Sequence, residues 1–272
     1  MPRERLFWPL VLVGSALLTL ACFHRVLGYG FTDKDTLLHI TEARVESPGD
    51  LAALPFKKLT GGRAARDANF YRPTVMLVYA GLRRAFGWEP FGYHAFDLGL
   101  YALNGWLLAL FAATCARRTG LAGPRRFGLL CAAIFLVHPL GVETVPAIAR
   151  NGDLLVTAGF LASLLVLDRA DRALARGDAW RSPRVLGRLG AFTALYALTL
   201  GSKEPGIVLL GAAFLFVAIV AVGEDTRRRA LRAGGLVLPC LAITAGYFAL
   251  RMRVMGEALG GYDVAFPLPV MA

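Results

Sequence analysis

The chain has 272 residues, of which 56% are hydrophobic and 18% charged, and its mean hydropathy is +0.54. Soluble domains carry about 25% charged and about 45–50% apolar residues, so this balance excludes a water-soluble globular protein and identifies a membrane protein. The net charge of +11 comes from basic residues in loops between apolar runs, a pattern that reports topology and argues against a nucleic-acid partner.

A helix needs about 20 mainly apolar residues to cross the hydrocarbon, and about seven candidate runs emerge. They are 7–28, 93–115, 127–143, 153–168, 188–201, 205–223 and 233–250, which predicts an all-α, polytopic transmembrane helix bundle. The first follows Met-Pro-Arg-Glu-Arg, like a signal peptide, but it is long and lacks a clear small-x-small cleavage site, so it reads as a retained anchor. Residues 29–92 form a long loop after it, opening with Phe31-Thr32-Asp33-Lys34-Asp35. Further along, Tyr71-Arg72-Pro73 begins a stretch to Phe86 that mixes apolar and basic residues at helical spacing, predicting a helix in the headgroup plane. Reading that stretch as a further span would invert every later loop.

The second run carries Asp97 and Asn104 on one helical face, a spacing suited to joining helices. The third ends in His138-Pro139-Leu140-Gly141-Val142-Glu143, and Arg150-Asn151-Gly152-Asp153 leads into the fourth. Between the fifth and sixth lies the turn Gly201-Ser202-Lys203-Glu204-Pro205. Cys22, Cys115, Cys131 and Cys240 lie in or beside apolar runs without a CxxC or His/Cys cluster, so neither a disulfide framework nor a structural zinc site is expected.

Short loops rich in arginine face the cytoplasm. With the N-terminus inside, Arg3 and Arg5, Arg117 to Arg126, Arg169 to Arg188 and Arg227 to Arg232 fall on that side, while the opposite short loops hold Arg150 and Lys203. The long loop, with Lys34, Lys57, Lys58, Arg63, Arg66, Arg72, Arg83 and Arg84, is translocated and exempt from the rule. The cytoplasmic arginines read first as orientation signals, and the expected location is a bacterial-type inner membrane.

Charged groups at membrane depth cost about 2.5–3.5 kcal/mol on insertion scales, so those that persist call for a reason. With this topology nearly all of them gather on the extracytoplasmic side, in the motifs at 31–35, 71–73, 138–153 and 201–205. Each also has a local explanation: Asp33 as a helix cap, Asp35 paired with Lys34 or Lys57, Arg150 paired with Glu143 or Asp153, Lys203 and Glu204 capping a turn, His138 as a packed polar end.

Taken in order, the motifs resemble those of polytopic GT-C class glycosyltransferases that use a polyprenyl-phosphate sugar, in particular O-mannosyltransferase-like proteins often fused to tetratricopeptide repeats. The residues carrying the resemblance are Asp33 and Asp35, Tyr71-Arg72-Pro73, the run Gly87-Trp88-Glu89-Pro90-Phe91-Gly92-Tyr93-His94, the block His138 to Leu155, and Ser202-Lys203-Glu204. Nearly the whole chain takes part, as one transmembrane domain expected to be the N-terminal part of a larger one. Two departures stand out: Lys34 separates two acids that are commonly adjacent in the family, and Asp97 stands where the family often has Asn.

The resemblance implies transfer of a sugar, with inversion, from a polyprenyl-phosphate donor to a protein or glycan acceptor. Such a reaction needs a base for the incoming hydroxyl and cations for the departing phosphate. Asp35 or Asp33 is the expected base, with Glu143 as an alternative. Arg72, Arg150 and Lys203 are expected to hold the phosphate, and His138, Glu143, Asp153 and Glu204 to complete the site. No metal or other cofactor is expected. The alternative class is a non-catalytic scaffold, a lipid-linked sugar transporter, or a truncated inactive fragment ending at Ala272.

Overall fold

The computed structural model describes residues 2–59, 70–220 and 225–256. Arg63, Arg66 and the chain end at Ala272 lie outside them. Among the described residues every regular element is helical, so the chain is an all-α polytopic protein. Its helices are α1 (Pro2–Phe23), α2 (Lys34–Glu42), α3 (Pro48–Ala53), α4 (Pro73–Phe86), α5 (Pro90–Arg118), α6 (Pro124–Val137), α7 (Gly141–Thr144), α8 (Asn151–Ala175), α9 (Pro183–Ser202), α10 (Val208–Ile219) and α11 (Thr226–Met255).

A helix stands at each apolar run, but by length and composition four are fit to cross a membrane: Leu6–Gly28, Pro90–Arg118, Pro183–Ser202 and Thr226–Met255. At 1.5 Å per residue, the 14 residues of α6 and the 12 of α10 reach only about 21 and 18 Å, short of a 30 Å core. The expected count of seven spans is therefore not established by helix length.

Local chemistry sets the boundaries. Prolines occupy the first turn of α4, α5, α6 and α9, where the missing N–H costs nothing and φ is preset for a helix. Ser47 and Asp50 form a reciprocal capping box on α3. Gly87 ends α4 at φ +59, a conformation that side chains with a Cβ resist. The third apolar run was expected to stay helical to 143, yet α6 stops at Val137. His138 precedes Pro139, whose ring forces it out of the helical region, and its ψ is 133. At the other ends, α8 and α11 outrun their apolar stretches, to Ala175 and Met255, because their polar termini find ion-pair partners.

Three apolar clusters hold the bundle. One joins α8 to α11 through residues such as Leu167, Phe192, Tyr196, Phe216 and Leu236. A second seats α2 and α4 on the bundle through Ile40, Met76, Tyr79, Tyr93 and Ile148. The third packs α1, α5, α6 and α8 around Phe23, Tyr101, Leu136 and Leu154. Helices α5 and α6 approach so closely that a Cβ on Gly128 would lie 2.3 Å from the Ala109 carbonyl oxygen.

Helices α5 and α8 run parallel in register. Asn104 donates to the Leu154 carbonyl (3.0 Å), and Arg118, the same step further along α5, pairs with Asp168 of α8 (2.8 Å). The loop helices and the turns Ile148–Arg150 and Glu204–Ile207 consequently gather where α5 and α8 begin, while Arg118, Asp168, Asp171 and Arg232 meet at the opposite end.

Candidate functional site

The site end is assembled from the loop helices and three helix beginnings. Helix α2 packs on α4 and on the turn Ile148–Arg150. The Tyr79 hydroxyl of α4 fastens that turn by donating to the Ile148 carbonyl at 2.8 Å. Helix α4 in turn rests on α9 near Gly201, where a Cβ would lie 2.6 Å from Thr74 Oγ1.

Asp33 is the N-cap of α2. Its Oδ1 accepts the Thr36 amide at 2.6 Å and its Oδ2 the Thr36 hydroxyl at 2.7 Å, so both oxygens are committed to local structure. Asp35, two residues on, is exposed and has no hydrogen bond or ion pair among the described residues. The two acids that flank Lys34 thus have different tasks.

The predicted cations are each engaged by a carboxylate. Arg72, preceding Pro73, pairs with Glu204 at 2.8 Å and lies 4.4 Å over the Phe70 ring. Lys203 pairs with Asp153 at 2.5 Å, tying the end of α9 to the first turn of α8. Arg150 and Glu143 meet at 3.3 Å with side chains 52% and 62% exposed, a pair worth about 0–1 kcal/mol. His138 is exposed at the end of α6, and its Nδ1 accepts the Leu140 amide at 3.2 Å. Among the described residues, no three His, Cys, Asp or Glu side chains converge.

Four further residues belong to this end and were not singled out by the sequence. His39, on α2, is 5% exposed and its ring lies 5.2 Å from that of Tyr79. Burial, and then the neighbouring Arg72, lowers its pKa from 6.5 to about 4, with Asp33 opposing, so the ring is neutral at pH 7. Tyr79 is held well above the ordinary phenol range by burial, then by Asp97, Asp33, Tyr93 and Asp35 in that order. Arg251 on α11 is the second guanidinium on Glu204, at 3.7 Å, with its side chain 3% exposed. One turn earlier, Tyr247 donates from its hydroxyl to the Tyr71 carbonyl at 3.0 Å. The one signal in the sequence was an arginine directly after an apolar run; the burial of His39 left none.

Asp97 and Asn104 bear on the same helix pair. Asn104 does join α5 to α8. Asp97 is 1% exposed, and neither oxygen has a hydrogen-bond partner among the described residues.

The motifs singled out by sequence therefore arrive at one end of the bundle, on α2, α4, the 138–153 block and the 203–204 turn. Comparison with known proteins finds relatives of the chain. The chain is similar to protein O-mannosyl-transferases. It is 27% identical to protein O-mannosyl-transferase TMTC4 of Homo sapiens over 288 aligned positions, covering 92% of this chain and 37% of that protein. Identity to protein O-mannosyl-transferase Tmtc1 of Drosophila melanogaster is 27% over 157 positions (57% of this chain, 18% of that protein). For protein O-mannosyl-transferase TMTC3 of Mus musculus it is 24% over 236 positions (84% and 22%). The chain thus spans less than two fifths of the length of these curated relatives. No family model and no solved structure matches it. These homologues bear out the family resemblance that the motifs carry.

Proposed function

We propose that the chain acts as a membrane-embedded glycosyltransferase that moves a sugar, with inversion, from a polyprenyl-phosphate donor to a hydroxyl of a protein acceptor. The observation that carries this reading is that an uncommitted carboxylate, Asp35 on α2, lies at the same end of an apolar bundle as the cations Arg72, Arg150 and Lys203, with α2 packed on α4 and on the turn Ile148–Arg150. The printed names of the relatives, protein O-mannosyl-transferases, favour mannose as the sugar and a protein as the acceptor.

In this reading Asp35 is the general base. It is open to an incoming hydroxyl and has both oxygens available, whereas Asp33 caps α2 and fixes the orientation of that turn. As the acceptor oxygen forms its bond to the anomeric carbon, its proton passes to Asp35 and the bond to the phosphate oxygen breaks. Arg72, Arg150 and Lys203 face the charge that grows on the leaving phosphate, and such charge-assisted contacts strengthen as it grows. Glu143, Asp153 and Glu204 hold these cations in position before the donor arrives, and His138 stands at the rim. The polyprenyl tail would lie along the exposed apolar faces of the helices, and the site end would face away from the cytoplasm, in keeping with the arginine distribution. A transporter would place its ionisable residues at broken helices near the midplane, whereas the pairs Arg72–Glu204 and Lys203–Asp153 sit at helix ends.

The test is sugar transfer by the purified chain in nanodiscs, given polyprenyl-phosphate mannose and a Ser/Thr-rich protein acceptor. Wild type should transfer. Asp35→Asn should lose roughly 10²–10⁴-fold in rate while Asp33→Asn keeps most of it. Full activity in Asp35→Asn would remove the base assignment, and no transfer by wild type would remove the reading.

A further inference from the structure

Glu204 stands between two guanidiniums and serves them unequally. Its carboxylate is 2.8 Å from Arg72 but 3.7 Å from Arg251, and Arg251 Nε has no hydrogen-bond partner among the described residues. The Arg251 side chain is only 3% exposed and that of Arg72 14%, so water screens neither well. Two cations against one carboxylate leave a unit of positive charge in a poorly hydrated place, a costly arrangement unless an anion arrives to share it. Glu204 is the most exposed of the three, at 32%, and belongs to a four-residue 3-10 turn, Glu204–Ile207, rather than to a long helix. It can swing aside while its partners stay anchored on α4 and α11.

We propose that the Glu204 carboxylate is an exchangeable occupant of an anion seat formed by Arg72 and Arg251, and that the phosphate group of a phosphate mono- or diester takes its place. A tetrahedral phosphate presents oxygens in more directions than a planar carboxylate and can meet both guanidiniums at hydrogen-bonding distance, including the idle Nε of Arg251. Tyr71 and Tyr247, whose rings lie 5.5 Å apart and tilted by 44° beside Arg72 and Arg251, wall the seat on one side. Glu204 then acts as a latch: it keeps the two cations apart from bulk anions until a ligand with higher charge density displaces it. Identification of the ligand as a lipid-linked donor rests on the function proposed above; the exchange itself does not.

The test is equilibrium binding to the full chain in neutral-lipid nanodiscs, with polyprenyl phosphate, the matching uncharged polyprenol and inorganic phosphate as separate probes and no sugar present. Polyprenyl phosphate should bind and polyprenol should not. Arg251→Gln should weaken binding by about tenfold or more, with Arg251→Lys in between. Glu204→Gln should tighten binding several-fold, because the competing carboxylate is gone. If Glu204→Gln does not fold, Glu204→Asp, whose shorter arm holds Arg251 less well, takes its place and should tighten binding by a smaller factor. Inorganic phosphate binding with the same order of variants supports the seat and assigns it to a free anion. Unchanged or weaker phosphate binding in folded Glu204 variants overturns the exchange, as does wild-type affinity in Arg251→Gln. Since no sugar takes part, a chain that binds phosphate in this pattern but fails to transfer mannose would refute the transferase reading alone.

Discussion

His39 offers a quantitative test of the packing between the loop helices and the bundle. Its pKa falls from 6.5 to about 4 because the ring is buried against Tyr79, with the Arg72 charge adding to the effect. Protonation is therefore easier in the unfolded chain, and stability contributed by the neutral ring is fully present above pH 6.5 and is lost as pH falls toward 4. At 1.36 kcal/mol per pKa unit the full loss is about 3 kcal/mol. The assay is thermal unfolding in nanodiscs at pH values from 7.5 to 4, wild type against His39→Asn. Carboxylates titrate in both proteins, so the difference between the two curves isolates the ring. It should be constant above pH 7 and shift against wild type by about 3 kcal/mol on approaching pH 4. Parallel curves throughout the range would refute the buried, neutral histidine and with it the tight seating of α2 on α4.

Other substitutions probe separate parts of the structure. Arg118 bridges Asp168 and Asp171 in a nearly dry cluster at the far end of the bundle, so Arg118→Ala should cost about 1.5–3 kcal/mol in unfolding measurements, since Asp168 keeps Arg172 and Asp171 keeps Arg232. Gly128→Ala should destabilise by roughly 1–3 kcal/mol, because its methyl would press on the Ala109 carbonyl. Gly234→Ala, in α11 with nothing within 4 Å, should be neutral or add up to about 1 kcal/mol. Asp33→Ala should lower stability by about 1 kcal/mol through the lost cap, whereas Asp35→Asn should stay within about 0.5 kcal/mol of wild type. Thermal melts of the pair thus separate the cap from the residue proposed as base.

The sequence alone determined that this is a helical membrane protein, where its apolar helices stand along the chain, and which polar motifs interrupt them. Those properties follow from local rules: hydropathy reports burial in lipid, and proline or glycine punctuates a helix wherever it occurs. It left open whether Asp33 or Asp35 was free, because capping depends on which oxygen meets which amide at α2, a matter of dihedral angles. Four residues of the site end stayed out of reach for a different reason. Arg251 reads as the edge of an apolar run until α11 carries it past the run to Glu204, and His39 reads as an ordinary loop histidine until α4 closes over it. The same holds for Asp168 and Asp171, which among so many arginines carried no mark of their meeting with Arg118 and Arg232. Ion pairs between residues fifty or more positions apart exist only once the helices are packed in register. That register comes from the fit of side chains such as Asn104 against Leu154, and a linear reading of residue types does not contain it.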